Sequence, residues 1–158
     1  MKLTTKTEYA LICIKYICEH LDKSPVSVSE ICGVEKLPKD YVGQIFFRLR
    51  KAGIIKSVKG VCGGFNLARD PKDITFKQLV EALEGSTFEI FCSPRLRQRI
   101  VCGHFECCSV RPVWRKLKRL IDEFCNGITL DVLLQEESVL SAQFGLGSFE
   151  RELLGASG

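Results

Sequence analysis

Cys92, Cys102, Cys107 and Cys108 place four of the chain's nine cysteines within the stretch CSPRLRQRIVCGHFECC. Thiolates are the strong soft ligands for zinc and for iron–sulfur clusters, so this density points first to metal chemistry. The spacing narrows the choice. A structural zinc site commonly uses paired C-x-x-C knuckles, whereas these cysteines are separated by ten and then five positions, and the last two are adjacent. Adjacent side chains rarely converge on one small site, so the stretch offers three convenient thiolates and needs a fourth ligand from elsewhere. Three thiolates on a long loop suit an exchangeable iron–sulfur cluster better than a rigid zinc site. Arg95, Arg97, Arg99, Arg111 and Arg115 either offset a cluster's negative charge or simply keep the loop in water. A zinc-bound DNA-binding protein and a metal-free thiol–disulfide switch through Cys102 or Cys107 stand as alternatives.

The rest of the composition supports metal or redox chemistry over a disulfide framework. The N-terminal MKLTTKTEYALICIKYICEHL lacks the apolar core of a signal peptide, and Lys15 interrupts the apolar run, so a cytoplasmic protein with no membrane partner is expected. In a reducing compartment structural disulfides are rare, and an odd number of cysteines cannot all pair within the chain. Catalysis has little to work with: His20 and His104 are the only histidines, and no carboxylate pair or phosphate loop accompanies the thiols. No enzyme activity is expected.

The elements around the cysteines must position them. A chain of 158 residues buries roughly two-thirds of its unfolded surface and folds without staples. Thr5 and Glu8 fit a capping box, opening a helix over about 6–21 with Ala10, Cys13, Ile17 and Leu21 on its core stripe. Cys13 and Cys18 read as small buried hydrophobes, and Cys32, Cys62 and Cys125 as structural, with Cys62 exposed. SVSEICGVEKLPKDYVGQIFFRLRKAG reads as two helices, the first capped by Ser27 or Ser29, the second opened by Pro38 and stopped by Gly53. IIKSVKG, VCGG and FNLA then read as a β-hairpin, and DPKDITFKQLVEALEG as a Pro turn and a helix ended by Gly85. Helix, turn, helix and hairpin is the order of a winged helix-turn-helix.

That segment carries the means to hold double-stranded DNA. Residues 36–59 contain seven Lys or Arg against one acid, Asp40. Tyr41 and Gln44 are expected on the face opposite Ile45 and Leu49, aimed at base edges. Lys39, Arg48, Arg50, Lys51, Lys56 and Lys59 are the candidates for phosphate, and Gly63, with Gly60 and Gly64, lets the hairpin tip approach a sugar-phosphate wall. A winged helix used for protein contacts is the bland alternative. Beyond the cysteines, Pro112 opens a basic helix whose Trp114, Leu117, Ile121, Phe124 and Ile128 follow a heptad seam. The seam fits the same helix of a second subunit, or the chain's own core. The fold expected is mainly α with a small β-hairpin wing, a winged helix-turn-helix plus a long dimerisation helix. Its divisions are 1–85 for DNA, 86–111 for the cysteine loop, 112–135 for dimerisation, and 136–158 as a loosely ordered acidic tail with a short helix near FERELL.

Taken together, MKLTTKTEYAL, YVGQIFFRLRKAGIIKSVKG with GGF, the cysteine loop and the interval from Cys108 to Trp114 leading into NGITL resemble the winged-helix iron–sulfur regulators of IscR and NsrR type over about 1–135. The resemblance implies a homodimer that binds a pseudo-palindromic operator, and an iron–sulfur cluster held in each subunit by Cys92, Cys102 and Cys108. The family's histidine ligand position holds Arg111 here, so a four-iron cluster is favoured over a two-iron one. Its fourth ligand is open between Glu8 of the partner subunit, Cys107 or His104, and an exogenous or absent ligand. At the reader head, Gly43 replaces the family's acidic discriminator, Lys59 its wing arginine and Cys62 a wing glycine. The operator sequence and the preference of the cluster-free form therefore do not transfer.

Overall fold

The computed structural model describes residues 4–23, 25–89 and 108–146. Helix α1 (Thr5–Glu19) buries Ala10, Cys13, Ile14 and Ile17, the stripe that the 3.6-residue period predicts. Leu21, expected at the end of that stripe, lies beyond the helix and is exposed. The start of α1 also differs from expectation. Its N-cap is Thr4, and no side chain caps it; the Thr4 hydroxyl instead donates across the fold to Glu84. Thr5 is already helical, which leaves Glu8 exposed in the first turns.

Helix α2 (Val28–Glu35) starts on a capping box between Ser27 and Glu30 and ends on Lys36 in the left-handed region at φ 54°. Helix α3 (Lys39–Lys51) follows, with Pro38 as its N-cap rather than its first helical residue. Val42, Ile45, Phe46 and Leu49 bury one side of α3 against α1 and α2. Phe46 also meets Phe65 edge-on, with ring centroids 4.9 Å apart.

The wing is an antiparallel pair, β1 (Ile55–Val58) and β2 (Gly64–Leu67), registered from Ile55↔Leu67 at the root to Val58↔Gly64 near the tip. Ile55 and Leu67 are buried, which fixes the root in the core. A bridge between Val26 and Phe65 adds a third contact ahead of α2. Gly64 is required by this bridge: a Cβ there would stand 2.5 Å from the Val26 carbonyl oxygen.

A 3-10 turn at Pro71–Asp73 leads to α4 (Phe76–Glu84), capped by Thr75 with Gln78 and closed by Gly85 at φ 86°. After the cysteine stretch, α5 (Arg111–Gly127) carries Pro112 in its first turn. The C-terminal half of α5 packs on α4. Asp122 accepts from Thr87 and, at 2.9 Å, from Lys118, and the Phe76 amide donates to the Ile128 carbonyl at 2.8 Å. A second 3-10 turn, Leu130–Leu134, buries Leu130 in the main core. Residues at the head of the expected loose tail form a helix, α6 (Glu137–Gln143), and Phe144 after it lies 6.1 Å from Phe124. Among the described residues no helix is long and apolar enough to cross a membrane.

Candidate nucleic-acid interface

The buried positions of α3 leave the opposite side of the helix to solvent. Lys39, Asp40, Gly43, Gln44, Arg48 and Lys51 line an open groove of about 1010 Å³. Gln44 is exposed here, as a base-reading amide must be, with Lys39 and Lys51 beside it. Among the described residues, nothing apart from its chain neighbours and the backbone of its own helix lies within 4 Å of a Cβ added at Gly43, so no packing contact among them demands glycine in mid-helix.

Three of the expected contacts sit differently. Tyr41 lies on the side of Ile45, four residues on, because i and i+4 share a helix face; it is half-buried and meets Tyr9 edge-on at 5.7 Å. Arg48 is exposed, yet its guanidinium donates to the Leu83 carbonyl at 3.2 Å and so ties α3 to the end of α4. Gly63 is held by the hairpin itself, since a Cβ there would stand 2.7 Å from the Val58 oxygen and 2.8 Å from the Gly60 oxygen. Arg50, Lys56 and Lys59 are exposed as expected. Phe47, not among the residues expected from the apolar run IFFRLR, lines the groove, is 59% exposed, and has the Arg50 guanidinium 6.0 Å from its ring centre. The signal was there, because 42, 45, 46 and 49 complete the buried stripe without it.

The thiols divide sharply. Burial pushes Cys13 up to about 12 and Cys18 up to about 11, and Cys125 is also raised by burial. These three stay protonated at neutral pH and serve as packing. Cys62 is exposed at the wing and Cys108 is half-buried just before α5. Cys92, Cys102 and Cys107 lie outside the described residues, as do His104 and the FERELL segment. Among the described residues, no group of three or more His, Cys, Asp or Glu side chains could hold a metal ion.

On α5, Trp114, Leu117 and Phe124 are 42%, 38% and 58% exposed, and Val113 and Leu120, absent from the expected seam, are exposed beside them. Ile121 is half-buried and lines a 290 Å³ apolar cavity between α4 and α5 with Phe76, Val80 and Cys125. Ile128 leaves the seam altogether: the helix ends at Gly127, and Ile128 is extended and bonded through its carbonyl to α4.

Residues 3–136 match the Rrf2 family, described as iron-dependent transcriptional regulators. The chain belongs to the Rrf2 family. It is 34% identical over 140 residues to the HTH-type transcriptional regulator IscR of Vibrio atlanticus, covering 89% of this chain and 79% of that protein. Among solved structures it is similar to T. potens IscR, with TM-score 0.64 and 31% identity over 85% of this chain and 86% of that one. It is also similar to CymR, the global cysteine regulator of B. subtilis, with TM-score 0.67 and 26% identity over 83% and 94%. This Rrf2 chain is a DNA-binding transcriptional regulator with a winged helix-turn-helix, and not an enzyme.

Proposed function

We propose that this regulator acts as a homodimer on a pseudo-palindromic operator and that an iron–sulfur cluster in each subunit controls the binding. The observation that supports this most directly is the division of the thiols. Burial takes Cys13, Cys18 and Cys125 out of the ligand pool, Cys32 sits within α2 and Cys62 at the wing tip, and the four cysteines of 92–108 remain grouped in sequence, with Cys108 just before α5. Cys92, Cys102 and Cys108 would hold the cluster. Three thiolates are a donor set that fits it. Glu8 of the partner subunit is favoured as the fourth ligand, because the carboxylate is exposed and no capping bond occupies it. When bound, the cluster supplies a centre sensitive to oxidation, iron supply and nitric oxide.

The chain's own residues do the rest. Gln44 reads a base edge and Lys39, Lys51, Lys56 and Lys59 hold phosphates, while the exposed apolar side of α5 packs on its copy. Residues 86–111 form the cluster-binding unit between the reader and the dimer helix. Anaerobic purification tests the reading: coloured protein with iron and sulfide, both lost on replacing Cys92, Cys102 or Cys108 by Ala, is expected. Colourless protein with stoichiometric zinc, or a metal-free reversible disulfide, would overturn the cluster. Light scattering of Phe124→Asp should show monomers where the native chain shows dimers.

A further inference from the structure

Val61 is the most exposed of the large apolar side chains among the described residues, at 107% of its reference surface. A single exposed valine is ordinary on a protein surface. Its position here is not. The Gly63 amide donates to the Gly60 carbonyl at 3.0 Å, closing a four-residue turn with Val61 and Cys62 at the two central positions. Gly60 has φ 130°, and Gly63 has no room for a Cβ, so the turn is held narrow and both central side chains stand outside it. Turn apices favour Gly, Asn, Asp, Ser and Pro, so the fold itself has no use for a β-branched apolar residue at this point.

We infer that Val61 is an apolar wedge that enters the minor groove of the operator beside the base pairs read by α3, and that it favours A·T pairs there. This rests on the DNA-binding reading above. The wing root is buried at Ile55 and Leu67, and the β1 ladder carries the tip about 10 Å outward from it. A tip two residues wide matches a minor groove about 6 Å wide, and exposed Lys56 and Lys59 lie on the hairpin where phosphates line that groove. The groove's sugar walls are apolar, and inserted apolar side chains recur in minor-groove binders. Guanine alone places an amino group on the groove floor, where it would meet the valine methyls and lose its water.

The test begins with a duplex enriched from a random library by the full-length protein, its wing-facing positions located by hydroxyl-radical footprinting. Val61→Ser should keep the native melting temperature, lose about tenfold in affinity for this duplex, leave the salt slope unchanged and lose the flanking minor-groove protection. Exchanging A·T for G·C at the protected flank should weaken the native protein, exchange for inosine·cytosine should not, and Val61→Ser should be indifferent to both. Affinity of Val61→Ser within twofold of native, or equal responses to G·C and inosine·cytosine, would overturn the wedge and leave the DNA-binding reading intact. A library that yields no enriched duplex would overturn both.

Discussion

Glu84 closes α4 and is the point at which the two ends of the DNA-binding unit are joined, so its replacement tests the fold's wiring. One carboxylate oxygen accepts from the Thr4 hydroxyl and, at 3.0 Å, from that of Thr7; the other lies 3.4 Å from the Lys6 ammonium. The side chain is 12% exposed. Two hydroxyl bonds to a part-buried carboxylate contribute about 1 kcal/mol each, and the ion pair roughly 0.5 kcal/mol. A carboxylate in the last helical turn opposes the helix dipole by about 0.5 kcal/mol, leaving roughly 2 kcal/mol net. Glu84→Ala should therefore lose about 2 kcal/mol in urea unfolding, a fall of about 4–8 °C in Tm for a chain of this size. The pH dependence is a second reading. Burial alone would raise the Glu84 carboxyl, but the bonds from Thr4 and Thr7 and the charge of Lys6 outweigh it and hold the group below its ordinary value. With the folded value below the unfolded one, the contribution is complete above the ordinary carboxyl range and is lost as pH falls through the folded value. The gap between native protein and Glu84→Gln should shrink from pH 7 toward pH 3. A loss under about 0.5 kcal/mol for Glu84→Ala, or a gap that does not change with pH, would refute the reasoning.

Gln44→Ala should relax discrimination between the enriched duplex and random DNA, whereas Lys59→Ala should weaken both and lower the salt slope by about 0.9; competition titrations at several salt concentrations separate the two. Gly43→Ala should stabilise the free protein by about 0.5–1 kcal/mol in urea unfolding, since helix propensity improves and no described residue outside α3 crowds the new methyl. Brief iodoacetamide treatment of folded protein at pH 8 should label Cys62 well before Cys13 or Cys18, whose thiols burial holds near 12 and 11. Peptide mass mapping reads the order, and early labelling of Cys13 would contradict its place in the core.

The winged helix-turn-helix was legible because its signals are local. Ser27 ahead of α2, Gly53 after α3, Gly85 after α4 and the hairpin glycines each set one boundary through neighbouring backbone. What was misread depends on distance or phase. Thr5 is the cap that the sequence suggests, and only Glu84, some eighty residues away, decides that the hydroxyls of Thr4 and Thr7 are spent across the fold. Tyr41, expected opposite Ile45, shares its face because the four-residue offset fixes the phase, and the same phase turns Phe47 out of the buried stripe. Ile128 continued the heptad in sequence after the helix had ended, because a β-bridge between Thr75 and Thr129 pulls the chain out of helical geometry. Of the residues that spacing and resemblance propose as cluster ligands, only Cys108 and Glu8 lie among the described residues.

The central claim is that a cluster bound by the cysteine stretch changes how the proposed dimer holds DNA. It is met most directly by measuring the affinity of one anaerobic preparation for the enriched duplex before and after its iron and sulfide are removed. The account predicts a difference of about tenfold or more, abolished when Cys92, Cys102 or Cys108 is replaced by Ala. Equal affinity of the loaded and stripped protein would contradict it.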